Sequence, residues 1–388
     1  MNVLIISKDP TILESSRNTF GDTRDRHIKY AEELKRRSPH SEIRIITYSK
    51  YYDNHKVDQV CDGLLVFPTK SRIRALFIID MIVLFFKVTK NWKPDLITVQ
   101  TPYEEGFAGL LLARLCKAKF LPQLHFDILS KNWLQEHPLN IWRKFVSLWV
   151  MKKADAVRVV SDKLAVSLNK KTAIPRDKIF TLPVCVNFVP VITQDKNRYK
   201  RSIDSKLENQ KVVLFVGRFY APKNLERWVG IAEKLLRKGV NANFVMAGGG
   251  VDFENVKKIV KDKNLDSHFT LMGNVGHQVL PEVYAAADVF LLTSHYEGFG
   301  RVVVESYLAK VPVVSTMSTG PEDIIVDGKT GYLFDHGDDK IVDGLEKLLT
   351  DDVLRIEMGE KGYAHVNKSY SLKVLVSKLV DSWISICY

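Results

Sequence analysis

The sequence predicts an α/β protein built from two doubly wound units, and three observations lead there. Short β-branched runs alternate with longer helical stretches, the pattern that produces parallel strands with covering helices. The pattern lapses between Pro183 and Gln210, a stretch of polar and charged residues around Pro190, and restarts at Lys211. A chain of 388 residues is long enough for two cores of ordinary size and short for three.

Taken in order, residues 1–190 form the first unit, with strands expected at 2–7, 42–47, 64–67, 95–99, 119–125 and 157–161. Its helices fall near 24–37, 71–90, 105–117, 138–152 and 162–170. Residues 191–388 form the second, with strands at 211–216, 243–247, 269–272, 289–293, 311–315 and 331–334. The intervening helices fall near 224–238, 252–263, 278–286, 301–309 and 338–350, and a final helix over 370–388 is expected to return to the first unit. Paired doubly wound units hold their ligands at the carboxyl ends of their strands, in the cleft between them. No repeat of the solenoid kind is visible.

Composition excludes several classes. With 46% hydrophobic and 26% charged residues and no low-complexity tail, the chain is globular rather than disordered. Met1 to Ser7 reads as a strand, without the basic region or cleavage site of a secretory signal. The longest apolar run, Ala75 to Phe86, contains Asp80 and falls well under the roughly 20 residues needed to span a bilayer. Cys61, Cys116, Cys185 and Cys387 are scattered without a Cys-x-x-Cys pair, which argues against a zinc site or a disulfide framework and fits a reducing cytoplasm.

The net charge of +12 is unevenly placed. Residues 1–190 carry 31 Lys/Arg against 19 Asp/Glu, while residues 191–388 carry 26 of each. All the excess therefore lies in the first unit. It calls for an anionic partner there, either nucleic acid, an acidic membrane surface or a phosphorylated substrate, unless it is only a lysine-rich surface that keeps the chain soluble.

Two constellations carry the chemistry. In Val216-Gly217-Arg218-Phe219-Tyr220-Ala221-Pro222-Lys223-Asn224 a strand ends in a glycine turn before a helix. Gly217 lets backbone approach a phosphate, Arg218 can fork two oxygens and Lys223 adds a compact charge, so the segment suits a diphosphate. Further on, Ser294-His295-Tyr296-Glu297-Gly298-Phe299-Gly300-Arg301 leads from a buried strand into a helix that continues to Glu305. Free N–H groups at that helix start suit an anion or sugar hydroxyls. Glu305 lies in an apolar stretch, where a carboxylate needs hydrogen-bond donors or a cation, and two ribose hydroxyls would serve.

Glu297 and Glu305, seven residues apart around Gly298-Phe299-Gly300, resemble the Glu-x7-Glu motif of the retaining glycosyltransferases called family 4, or glycosyl transferases group 1. Gly217, Arg218 and Lys223 resemble that family's diphosphate stretch. Ala309 to Val314 and Asp327 to Leu333 resemble the strand and turn that follow. The resemblance implies a GT-B fold, two Rossmann-like domains with the donor held by the second. It also implies that Glu297 contacts the donor hexose and Glu305 the ribose, while Arg218 and Lys223 neutralise the leaving diphosphate. Two cations and a helix N-terminus can stand in for a metal, so no cofactor and no divalent ion are expected. Ser318-Thr319-Gly320-Pro321-Glu322-Asp323 departs from the family's Gly-Gly-x-x-Glu form and looks like its Ser-Gly-Pro variant, which leans toward a UDP-sugar, with GDP-mannose next. Base contacts are expected from backbone near Gly273-Asn274-Val275.

In the first unit, Leu124-His125-Phe126-Asp127 resembles the family's His-x-Asp segment, whose histidine contacts the donor sugar; a lone histidine at a strand end can equally be a packing residue. The loop after the first strand, paired-glycine in the family, is here long and polar with Gly21 alone. Gly21 and Asp127 are the acceptor-side candidates. The helix over 71–90 is apolar nearly all round and basic at both ends, which fits either core or a membrane-touching helix that presents Leu76, Phe77, Phe85 or Phe86.

The expectation is therefore a retaining, metal-independent transferase that moves a hexose or N-acetylhexosamine from a nucleotide-diphosphate sugar to a glycan or lipid-linked acceptor, in the cytoplasm or peripheral to its membrane. A GT-B epimerase or a sucrose-synthase-like enzyme would keep the fold. A nucleic-acid-binding protein would suit the isoelectric point near 9.3 but lacks a reader motif, so nucleic acid is not an expected partner.

Overall fold

The structure, a computed structural model, describes residues 1–13, 22–49, 57–335 and 337–388. These residues divide into two compact units, Met1–Asn187 with Leu372–Tyr388, and Phe188–Ser371.

The first unit runs β1 (Asn2–Ser7), α1 (Thr23–Arg37), β2 (Glu42–Thr47), β3 (Asp58–Cys61), β4 (Leu64–Pro68), α2 (Phe77–Val88), β5 (Leu96–Val99) and α3 (Glu104–Cys116). It continues with β6 (Lys119–Leu124), α4 (Lys131–Glu136), α5 (Leu139–Lys153), β7 (Val157–Val159), α6 (Asp162–Lys171) and β8 (Ile179–Thr181). Among the described residues the strands form one sheet in the order β3-β4-β2-β1-β5-β6-β7-β8. β3 pairs antiparallel with β4 and the others are parallel. Burial explains the order: Val3 to Ile6 and Leu96 to Val99, in the middle, are covered on both sides, whereas β3 at the edge is half exposed.

The second unit runs α7 (Lys196–Ile203), β9 (Lys211–Val216), α8 (Leu225–Arg237), β10 (Ala242–Ala247), α9 (Phe253–Asp262), β11 (Phe269–Gly273), α10 (Leu280–Ala286) and β12 (Val289–Leu292). It closes with α11 (Arg301–Leu308), β13 (Val313–Thr316), α12 (Pro321–Ile324), β14 (Gly331–Phe334), α13 (Asp338–Thr350) and α14 (Asp352–Ser369). Among the described residues its strands make an all-parallel sheet ordered β11-β10-β9-β12-β13-β14. Trp228 anchors one side of that sheet. It is fully buried against Phe215, Phe244 and Phe269, and its indole N–H donates to the Leu291 carbonyl at 3.0 Å.

The final helix, α15 (Leu372–Cys387), belongs to the first unit. It packs on α1, where Trp383 meets Tyr30 edge-on at 6.1 Å and Arg37 bonds Ser377 and pairs with Asp381.

Two expectations are corrected. The stretch 183–210, read as aperiodic, contains α7, whose Lys200 is buried and reaches Asp288 at 2.8 Å and the Gln210 carbonyl at 2.6 Å. An ion pair holds that helix, so hydrophobic periodicity could not reveal it. In α2, Phe77 and Phe85 belong to the core with Met81 and Val88, so only Leu76 and Phe86 of the four membrane candidates face outward. All four cysteines are free, and no helix among the described residues is long and apolar enough to cross a membrane.

Candidate active site

From β9 the chain of the second unit moves outward to β10 and β11, then crosses back to lay β12 on the other side of β9. The loops after β9 and β12 thus lie side by side at the point where strand order reverses, the place where such sheets bind ligands. The first loop descends through Gly217 and a 3-10 turn over Ala221–Lys223, opened by Pro222, into α8. The second runs from Thr293 to Gly300, which adopts φ +88° just before α11, a left-handed geometry that favours glycine.

Tertiary bonds tie these loops together. The Thr293 hydroxyl lies 3.0 and 3.1 Å from the carbonyl oxygens of Lys223 and Asn224, and the His295 N–H donates to Pro222 at 2.9 Å. Their charged ends meet: the Lys223 ammonium pairs with the Glu297 carboxylate, and both side chains are largely shielded from solvent. Arg218, at the same strand end, is exposed, with its guanidinium 5.0 Å from the centre of the Tyr220 ring.

Two further loops complete the edge. Gly248-Gly249-Gly250, after β10, receives the first loop through the Phe219 N–H to the Gly249 carbonyl at 2.9 Å. The approach is so close that a Cβ on Gly248 would stand 1.9 Å from the Gly217 oxygen. Beyond β13, the Gly320 N–H donates to the Glu297 carbonyl at 2.9 Å, and a Cβ there would stand 2.2 Å from the Phe299 oxygen. Phe299 is buried against Tyr370, and Gly298 is buried beside it. Val275 follows β11 in the loop after Gly273.

Glu305 is buried in α11. The Tyr284 hydroxyl donates to it at 3.1 Å, and the Arg301 guanidinium stands 3.8 Å away. Burial and the carboxylate's charge push the Tyr284 hydroxyl well above its ordinary pKa. One of the partners that this carboxylate needs is thus supplied from inside the protein, by a tyrosine of α10.

In the first unit His125 follows β6 and is partly buried. Burial pushes its pKa down to about 3, and the nearby cations Arg158 and Arg26 act in the same direction, so its imidazole is neutral at physiological pH. Arg158 is itself buried and donates to Gln123 at 2.8 Å and to the Leu182 and Pro183 carbonyls at 3.0 and 2.8 Å. Asp127 accepts the Leu129 N–H at 2.8 Å and so shapes its own turn. Gly21 lies outside the described residues.

Sequence reasoning missed several residues. The triple glycine after β10 was visible as a run, whereas Tyr284 and Thr293 carry no local signal. The hydroxyls of Ser294 and Ser318, which flank the Glu297 loop, are buried without a hydrogen-bond partner. Also unforeseen was buried Glu105 at the start of α3, bonded by Thr101 at 2.5 Å and paired with Lys8 at 3.3 Å.

Two parallel-dominated α/β units, one with a glycine-lined strand edge that carries a lysine–glutamate pair, define a GT-B protein. HepE of Anabaena, solved in complex with UDP and glucose, has this fold, with a TM-score of 0.77 at 15% identity over 99% of this chain and 100% of that one. The family models "Glycosyltransferase Family 4" and "Glycosyl transferases group 1" match residues 29–188 and 196–365, and the chain belongs to this family of glycosyltransferases. The capsular polysaccharide biosynthesis glycosyltransferase CapM of Staphylococcus aureus is 26% identical over 85% of both chains. The alpha-D-kanosaminyltransferase of Streptomyces kanamyceticus is 26% identical over 71% of this chain and 72% of that enzyme.

Proposed function

We propose that this glycosyltransferase retains anomeric configuration and moves a hexose or N-acetylhexosamine from a nucleotide-diphosphate sugar to a glycan or lipid-linked acceptor. The Lys223–Glu297 pair at the switch point carries the reading. Breaking the anomeric C–O bond leaves positive charge on the sugar and negative charge on the departing diphosphate, and stabilisation must be held in place for both. A lysine and a carboxylate in contact supply one group for each. On donor binding Lys223 turns part of its charge from Glu297 to the diphosphate, joined by Arg218, and Glu297 is left to accept from sugar hydroxyls. The short loops at Gly217, Gly248 and Gly300 let backbone N–H groups reach the phosphates, and Val275 is assigned to the base. Glu305, oriented by Tyr284, is assigned to the ribose. Neutral His125 is assigned a hydrogen bond at the transferred sugar, and Asp127 holds its turn.

The donor is proposed as a UDP-sugar, supported by the Ser318-Thr319-Gly320-Pro321 loop and by the UDP in the HepE structure, with GDP-mannose next. The two cations make a divalent ion unnecessary in this reading. The kinship with CapM supports a surface-glycan acceptor, and the basic first unit supports work at the cytoplasmic side of an anionic membrane.

Thermal shift against UDP- and GDP-sugars tests the donor, since a ligand stabilises only the state that binds it. NMR of the product anomer tests retention, and an inverted product rejects it. Turnover that EDTA abolishes and Mg2+ restores rejects metal independence.

A further inference from the structure

Helix α5 is amphipathic in the inverted sense. It buries Asn140 and Ser147 beside Val150 and Met151, while Ile141, Trp142, Phe145 and Trp149 are exposed. Phe145 keeps 66% of its surface and Trp142 52%, and exposed apolar side chains grouped in this way mark an interaction surface. The buried polar groups are satisfied locally: the Asn140 amide donates to the Trp133 carbonyl at 2.7 Å and the Ser147 hydroxyl to Arg143 at 2.7 Å.

The neighbouring helices continue the surface. The crossovers through α2, α3 and α5 all run in the same direction along the sheet, so the three helices lie on one side of it. On α3, Phe107, Leu111 and Leu115 are exposed at successive turns, and Phe107 meets Trp149 of α5 at 5.7 Å. On α2, Ile79, Val83 and Phe86 are exposed, opposite the row that enters the core. Exposed cations accompany these rows at the helix ends: Arg72 and Arg74 before α2, Lys87 and Lys90 at its close, Lys152 and Lys153 at the end of α5. Residues 71–153 hold 13 Lys/Arg against 6 Asp/Glu, more than half of the chain's net charge.

We propose that α2, α3 and α5 together form the surface by which the protein docks on an anionic bilayer, with Trp142, Phe145 and Trp149 as its apolar centre and the lysines and arginines as its rim. Aromatic rings suit the headgroup level, where one part of the ring is dry and the rest wet, and flanking cations gain from lipid phosphate. Charge decides against a second copy of the chain as occupant, because two faces of the same positive sign would oppose each other across a twofold axis. The inference rests on the reading of the first unit as the acceptor side and deepens it: the acceptor would be met at the membrane surface, away from bulk water.

The test is flotation of the full chain with vesicles of phosphatidylcholine alone or mixed with phosphatidylglycerol. The expected result is binding to the anionic vesicles that weakens as salt rises, with a blue shift of tryptophan fluorescence. W142S/F145S lowers vesicle affinity by about tenfold or more, and K152E/K153E also lowers it. Both positions of the first variant are more than half exposed, so its melting temperature and its UDP thermal shift stay those of the parent. Absence of binding to anionic vesicles, binding indifferent to salt, or binding unchanged in W142S/F145S overturns the proposal. So does a dimer in sedimentation velocity that W142S/F145S dissolves, which would give the surface to a second copy. A UDP shift that persists without vesicle binding overturns the docking surface alone and leaves the transferase reading intact.

Discussion

Lys223 and Glu297, 74 residues apart in sequence, form an ion pair where the loops after β9 and β12 converge. Each is the other's main charge partner in the ligand-free protein, so neither can be changed without altering the other's state.

Lys223→Ala is expected to lower turnover about 100-fold or more, the scale of losing one preorganised charge at a developing anion. Glu297→Gln should lower it similarly. Because the two act together, the double variant is expected to lose far less than the product of the single effects. Initial-rate measurements on the three variants check this, and strictly multiplicative losses would contradict it.

Gly248→Ala should destabilise the second unit by about 1–3 kcal/mol, since the new Cβ meets backbone that cannot yield cheaply and φ of +140° strains it. Gly230→Ala, in the interior of α8 where an added Cβ meets nothing within 4 Å beyond the adjoining backbone of its own helix, is expected to stabilise by about 0.5–1 kcal/mol. Urea unfolding of the two variants reads opposite signs.

Tyr284→Phe removes a hydrogen bond from the buried Glu305 and is expected to cost about 1–3 kcal/mol. Tyr284→Phe combined with Glu305→Gln should recover part of that cost, because the buried charge that lost its hydrogen-bond donor is gone. Differential scanning calorimetry of the single and double variants distinguishes this from a packing effect, which the second change would not relieve.

Stability is expected to fall on acidification below about pH 6.5. His27 is buried, with its Nδ1 at 2.7 Å from the Thr23 carbonyl, and burial together with the Arg26 charge pushes its pKa from 6.5 down to about 4. His125 shifts the same way, to about 3. Between the folded and unfolded values the unfolded chain binds the extra proton, so each group takes away about 1.4 kcal/mol per pH unit as pH falls and nothing above pH 6.5. His27→Gln should shallow the slope of stability against pH over that window in denaturant titrations.

The strand edges that hold the candidate site were legible because parallel, doubly covered strands must be continuous apolar runs: β1, β2, β9 and β14 begin and end where their residues indicated. The antiparallel β3 was not, since Asp58-Gln59-Val60-Cys61 has no apolar alternation and is a strand only by pairing with β4. Short α4 and α12 and the three-residue β8 were missed because each spans fewer than two periods of its pattern. Of the site, the glycines and the charged residues could be named from motif and spacing, but their partners could not.

By itself the sequence determined the α/β class, through its alternation of β-branched and helical runs, and the glycosyltransferase family, through Glu297, Glu305 and the glycines around them. Only tertiary structure decided that Lys223 meets Glu297, that Tyr284 supplies the donor Glu305 needs, and that α5 turns its aromatic residues outward. The reason is the range of the forces involved. Periodicity and turn chemistry act over a few neighbouring residues and are written locally. Ion pairing, closure of glycine loops on each other and the choice of which side of a helix is buried depend on groups that only the folded sheet brings together.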